Sequence, residues 1–249
     1  MEKKVLIGIP SGSGLIPAYV VDGLYKMVRP IPTSLLIIER QGVEAARNYI
    51  IEMAIRMQVD YLLFLDDDGV VPVYTLACLL ESDKDIVGAP MMTRNHKEDG
   101  KHGLCCFEKF PFKVSEDSFV WKYQALKGFN TKKTHLHKVD AIGGACMLVK
   151  RAVFEEMFKK YNGRPFETYH ELYDLGNNEI GTRNLSEDIV FSERAYDCGF
   201  EIWVDTRVRP VHLGKPKFVR FEQKGEKFLP MTNNVKSATL LSESLKQIK

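Results

Sequence analysis

Through residues 5–92, apolar runs of strand length alternate with longer stretches of helical spacing, and this alternation narrows the possible folds more than any other feature. VLIGIP (5–10) reads as a strand ending at the loop SGSG (11–14), and LIPAYVVDGLYKMV (15–28) as a helix. TSLLIIE (33–39), YLLFL (61–65) and DIVGAPMM (85–92) read as three more strands. Between them lie GVEAARNYIIEMAIRMQ (42–58), apolar at helical spacing, and PVYTLACLLES (72–82), a helix opened by a proline. Such alternation predicts an α/β fold, a Rossmann-like α/β/α sandwich with a mostly parallel central sheet. In sheets of that kind ligands sit just beyond the carboxyl ends of the strands. The SGSG loop, Glu39 and the acidic run Asp66, Asp67 and Asp68 all fall at that edge.

Beyond Thr93 the pattern changes. Residues 93–138 are polar and aromatic, with a strand SFVWKYQAL (118–126), and read as an added small antiparallel region of hairpins and loops. KVDAIGGACMLVK (138–150) returns to strand character, and RAVFEEMFKKY (151–161) is a helix. Residues 162–185, rich in glycine, asparagine and aromatics, read as a loop. SEDIVFSERAYDCG (186–199) is a helix with Ser186 as its N-cap and Gly199 at its end. FEIWVD (200–205) is a strand, followed by RVRPVHLG (207–214). The organisation expected is one domain over 1–214, with a first half to about residue 92 and a second half over 93–214. A basic extension over 215–249 follows, with eight Lys/Arg against three Glu, expected to be partly mobile.

At 249 residues the chain is long enough for one large α/β domain or two small ones. A net charge of +2 is too mild to argue for a nucleic-acid partner. Five cysteines without CxxC spacing read as buried reduced thiols rather than a zinc site. VLIGIP is too short for a signal-peptide core, and no run of about 18 apolar residues exists to span a bilayer. A soluble, cytoplasmic protein is expected, with peripheral contact to a membrane surface left open.

Why the strand LLFL (62–65) runs straight into three like charges is the chemical question. Residues two apart at a strand end point to the same side, so Asp66 and Asp68 are expected together and Asp67 turned away. Paired carboxylates raise each other's pKa or recruit a cation. Oxygen ligands suit Mg²⁺ or Mn²⁺, which keep positions open for phosphate oxygens. A solvated acidic turn ahead of the helix from Pro72 is the plain alternative. DDDGV (66–70) also resembles the opening signature of the haloacid-dehalogenase phosphatases, with Asp66 as nucleophile and Asp68 as acid. That family begins with the motif, whereas two strands and two helices precede it here, and no convincing downstream lysine and acidic pair follows.

VEAARNYIIEMAI, YLLFLDDDGVVP, AIGGACMLVKRAVFEEM, SEDIVFSERAYDCGFEIW and VRPVHLG, in that order over residues 5–214, together resemble the family 2-like GT-A glycosyltransferases. The resemblance implies a single GT-A catalytic domain over 1–214, with a nucleotide-binding half to about residue 92 and an acceptor-side half over 93–214, that transfers a sugar from a UDP- or GDP-linked donor to a hydroxyl of a glycan or other acceptor. Asp66 and Asp68 match the DxD pair that binds Mn²⁺ or Mg²⁺ on the donor diphosphate, and His212 matches a further ligand from the far end of the domain. Arg47 and Asn48 match a triplet near the nucleobase and diphosphate, while Pro10, Ser11, Glu39 and Asp67 stand at the nucleotide-facing strand ends. Relatives carry Asp at or near the Glu39 position. Gly143 and Gly144 border donor sugar and acceptor and would let a substrate approach the backbone. Glu187 and Asp188 match an ED pair facing the acceptor, which makes Asp188 the expected general base of an inverting transfer and Glu187 an orienting acid. Between residues 162 and 185 the family's GGFDE-like stretch has no counterpart, so the acceptor stays open, with Tyr169, His170, Tyr173 and Arg183 as candidate lining residues.

Overall fold

The computed structural model describes residues 2–96, 102–114, 119–132, 134–176, 179–213, 218–219, 221–224 and 227–230. Its first half is β1 (Val5–Ser11), α1 (Ala18–Lys26), β2 (Thr33–Glu39), α2 (Val43–Arg56), β3 (Tyr61–Leu65), β4 (Gly69–Val70), α3 (Thr75–Glu81) and β5 (Ile86–Gly88). Then come β6 (Met92–His96), β7 (His102–Leu104), β8 (Cys106–Lys113), β9 (Phe119–Ala125), β10 (Leu136–Val139), β11 (Ala141–Ile142), β12 (Cys146–Lys150) and α4 (Arg151–Lys160). β13 (Tyr169–Gly176), β14 (Glu179–Leu185), α5 (Glu187–Asp197), β15 (Ile202–Asp205) and β16 (Val211–Leu213) follow, with three short strands, β17 (Phe218–Val219), β18 (Phe221–Lys224) and β19 (Lys227–Pro230), at the end.

The central sheet has seven strands in the order β10-β15-β5-β12-β3-β1-β2. β1 pairs in parallel with β2 and β3, and β15 with β5. β12 lies antiparallel between β3 and β5, and β10 antiparallel on β15 at the edge. The sheet is therefore mixed rather than mostly parallel. An apolar run such as CMLVK packs equally well in either direction, so its letters do not carry the polarity of the strand.

Side chains alternate across the strands and bury two faces. Leu6, Leu62, Phe64 and Val149 pack against α2, α4 and α5 through Ile50, Phe154 and Phe191. Ile7, Leu63 and Leu148 pack against α1 and α3 through Leu24 and Leu76. Three layers result, helices on both faces of one sheet. Helix α2 sits unusually close, because a Cβ on Gly8 of β1 would lie 2.3 Å from Ile50 Cγ2. That approach brings the N-terminal part of α2, with Arg47 in its second turn, down toward the strand ends.

Residues 162–185 are not the loop expected from the sequence, since β13 and β14 form an antiparallel hairpin there. One face is open, with Leu172 71% and Ile180 69% exposed, and the half-buried face carries Glu171, Tyr173, Gly181 and Arg183, so no apolar row on the buried side marked the strands in the letters. Ser186 does stand at the start of α5 but makes no side-chain cap bond, and its carbonyl accepts from the Ile189 and Val190 amides. Gly199 follows the helix at φ +85°, as a glycine terminator should. The cysteines are free thiols, and burial pushes the Cys146 thiol up to about 12. Most of the basic extension lies outside the described residues. No helix among the described residues is long and apolar enough to cross a membrane.

Candidate functional site

The parallel register of β1 and β2 sets Ser11 beside Glu39, and Asp66 follows the last residue of β3. β12 enters from the same rim, Cys146 opposite Leu65, so Gly143 and Gly144 arrive there too. The Asp66 amide donates to the Ala145 carbonyl at 3.0 Å and locks the two approaches together.

Strand geometry ends at Leu65, so the three aspartates do not alternate as expected. Each takes a different partner. Asp66 Oδ1 accepts from Arg47 Nη2 at 2.9 Å, Asp67 Oδ2 from the buried Ser11 hydroxyl at 2.8 Å, and Asp68 Oδ2 lies 3.1 Å from His212 Nε2. Like charges are thus each given a separate partner, a guanidinium, a hydroxyl and an imidazole, rather than left to repel.

His212 reaches Asp68 because β16 pairs antiparallel with β4, His212 opposite Gly69, and the Leu213 amide donates to the Asp68 carbonyl at 2.8 Å. His212 Nδ1 is 2.8 Å from the Met92 carbonyl, an acceptor only, so Nδ1 carries the proton. Its Nε2 then faces a carboxylate oxygen, and the two need a shared proton or a cation between them. Anchoring one ring nitrogen on a carbonyl while the other faces a carboxylate is the usual arrangement of a metal-binding histidine. The donor set of Asp68 and His212, one oxygen and one imidazole, fits Mn²⁺ or Mg²⁺ with positions left for water and phosphate. Asp66 does not join them. It is turned to Arg47, and among the described residues no three His, Cys, Asp or Glu side chains gather as a ready metal cage.

Arg47 is 2% exposed and meets three carboxylates. Its Nη1 donates to Glu187 Oε1 at 2.7 Å and to Asp188 Oδ1 at 2.5 Å, from the first turn of α5. Burial alone would lower its pKa, but Asp188, Asp66 and Glu187 outweigh it and hold the guanidinium charged. Asp188 moves the other way. Burial first, opposed by Arg47 and then aided by Glu187 and Asp66, pushes its carboxyl up to about 7. A carboxylate so placed can take a proton near neutral pH.

Two residues differ from the sequence expectation in what they touch. The Asn48 amide donates to the Phe166 carbonyl at 2.8 Å and accepts from the Phe166 amide at 2.9 Å, so it clamps a loop. The space over Gly144 is filled by Arg47, whose Cζ would be 2.7 Å from a Cβ there. Over Gly143 a Cβ would meet Cys105 Cβ at 2.9 Å and Asp188 Oδ2 at 3.6 Å. Pro10 and Glu39 lie at the ends of β1 and β2, Glu39 exposed. Of the candidate acceptor residues, His170 Nδ1 is 2.8 Å from Asn184 Oδ1 across the hairpin, and Tyr173 packs over Gly181. Arg183 donates from Nε to the Trp121 carbonyl at 2.8 Å and pairs with Glu193, tying the β13–β14 hairpin to β9 and α5.

Phe166 and the Met92 carbonyl were not legible beforehand. One is a ring in an irregular segment, its centroid 5.4 Å from Arg47 Cζ, and the other is a backbone atom that any residue supplies.

No family model matches the chain, and no curated protein matches it. Among solved structures, the crystal structure of A197 from STIV is similar to it, with a TM-score of 0.51 and 15% identity over 94% of this chain and 96% of that one. At that identity the likeness concerns the fold alone.

Proposed function

We propose that the protein is a metal-dependent glycosyltransferase of GT-A type that moves a sugar from a UDP- or GDP-linked donor to an acceptor hydroxyl with inversion. The observation that carries this reading is the gathering, on one rim, of Asp66, the Asp68–His212 pair and the Glu187–Asp188 pair. Asp68 and His212 would hold Mn²⁺ or Mg²⁺. When bound, the ion supplies positive charge to the nucleoside diphosphate as it leaves. Ser11, Pro10 and Glu39 flank the same rim on the nucleotide side, and Asp67, bonded to Ser11, keeps that edge in register. Asp188 accepts the proton of the attacking hydroxyl, and Glu187, held by the same guanidinium, orients the acceptor. The acceptor enters past Gly143, from the side of the β8–β9 and β13–β14 hairpins.

Thermal unfolding with UDP or GDP, with and without Mn²⁺, tests the reading. A nucleotide at a hundred times its dissociation constant adds about 2.7 kcal/mol of stability. One nucleoside diphosphate is expected to raise Tm only with the metal. No rise with either ends this reading. A rise without base preference, with capture of a beryllium or aluminium fluoride, would instead favour a phosphatase acting through Asp66.

A further inference from the structure

Three carboxylates from two distant elements converge on one guanidinium that water does not reach. The hydrogens of Nη1 go to Glu187 and Asp188, and Nη2 donates to Asp66. Nε is buried and has no hydrogen-bond partner. The group is packed by the Phe166 ring and by the bare backbone of Gly144. Asn48, the next residue, fixes the Phe166 segment through both ends of its amide. A diphosphate could reach this arginine only by displacing carboxylates that are already in contact with it. Its surroundings suit holding, not ligand binding.

We infer that Arg47 is a positioning residue that fixes Glu187 and Asp188 relative to Asp66, so that the acceptor-side acids and the donor-side acid move as one unit. Leaving α5 free to swing by an ångström would spoil the alignment of Asp188 with an incoming hydroxyl while leaving the nucleotide edge on β1 and β2 intact. The geometry stands without the transferase reading, and only the kinetic readout rests on that reading.

The full chain is tested with Arg47→Lys, Arg47→Ala and Gly144→Ala, using Mn²⁺ with UDP-glucose and GDP-mannose as probes. Arg47→Lys should keep the donor KM within about threefold and lose about a hundredfold in kcat. Tens of millimolar guanidinium should return about tenfold of the kcat lost in Arg47→Ala, and methylammonium should not. Gly144→Ala, which crowds the guanidinium without removing charge, should lower kcat by about tenfold at unchanged donor KM. A raised donor KM with kcat retained would make Arg47 a phosphate contact and overturn the inference.

If the wild type neither binds nor turns over either probe, the transferase reading fails separately, and a stability cycle decides the inference. Asp66→Asn and Asp188→Asn, each close in shape to the natural residue, should depart from additivity in Tm by about 3 °C or more, because both act on the same cation. Additive shifts would show that no shared arginine links them.

Discussion

Asp66 and Asp68 stand two residues apart and have opposite kinds of partner. Asp66 meets an arginine that is 2% exposed and permanently charged, braced by a phenyl ring and two further carboxylates. Asp68 meets a histidine whose charge depends on a proton and whose second nitrogen is tied to the backbone. The first arrangement carries a permanent charge, and the charge of the second depends on where a proton sits. One short acidic run thus meets a permanently charged side chain at one end and an imidazole at the other.

The sharpest way to break this contrast is to remove the fixed cation. Arg47→Met leaves Asp66, Glu187 and Asp188 facing one another in a partly dry site and should cost about 3–5 kcal/mol, read as a fall in urea midpoint. On the imidazole side, His212→Ala should leave the apo protein far less affected and abolish the metal-dependent nucleotide stabilisation, about 2.7 kcal/mol at a hundredfold excess over the dissociation constant. Stabilisation by Mn²⁺ and nucleotide that survives His212→Ala would move the metal elsewhere.

Asp188 sharpens the contrast through pH. Its folded pKa lies above its unfolded value, so the folded state binds the proton more tightly and this carboxylate lowers stability as pH rises from about 4 to about 7. Asp188→Asn should therefore match the wild type near pH 4 and exceed it at pH 8, on the order of 2 kcal/mol by urea melts, while retaining nucleotide binding and losing transfer. A variant less stable than wild type at pH 8 would mean that Arg47, not burial, dominates its environment. Smallest is Ser11→Ala, which removes one partner of Asp67 and should cost about 1 kcal/mol, read as a fall in urea midpoint.

The placement of the acids at the sheet rim was legible because the carboxyl ends of β1, β2 and β3 follow from the apolar runs themselves. His212 stood out by its position after a strand. What the letters could not carry was direction and partner. β12 runs against its neighbours although its composition suits either sense, and the alternation expected of Asp66, Asp67 and Asp68 failed because the strand stops one residue earlier. Arg47 is expected near the nucleotide because it matches a family triplet, and in the fold it is instead enclosed by three carboxylates. Its three acids come from 19, 140 and 141 residues away, separations that no local pattern encodes.

The pairing of β4 with β16 has a consequence for synthesis. The contact between Asp68 and His212 joins residues 144 apart, so on the ribosome it cannot exist until nearly all of the described chain has emerged. Until then the nascent acidic turn lacks its histidine, and the Asp68–His212 contact is among the last of the described contacts to form.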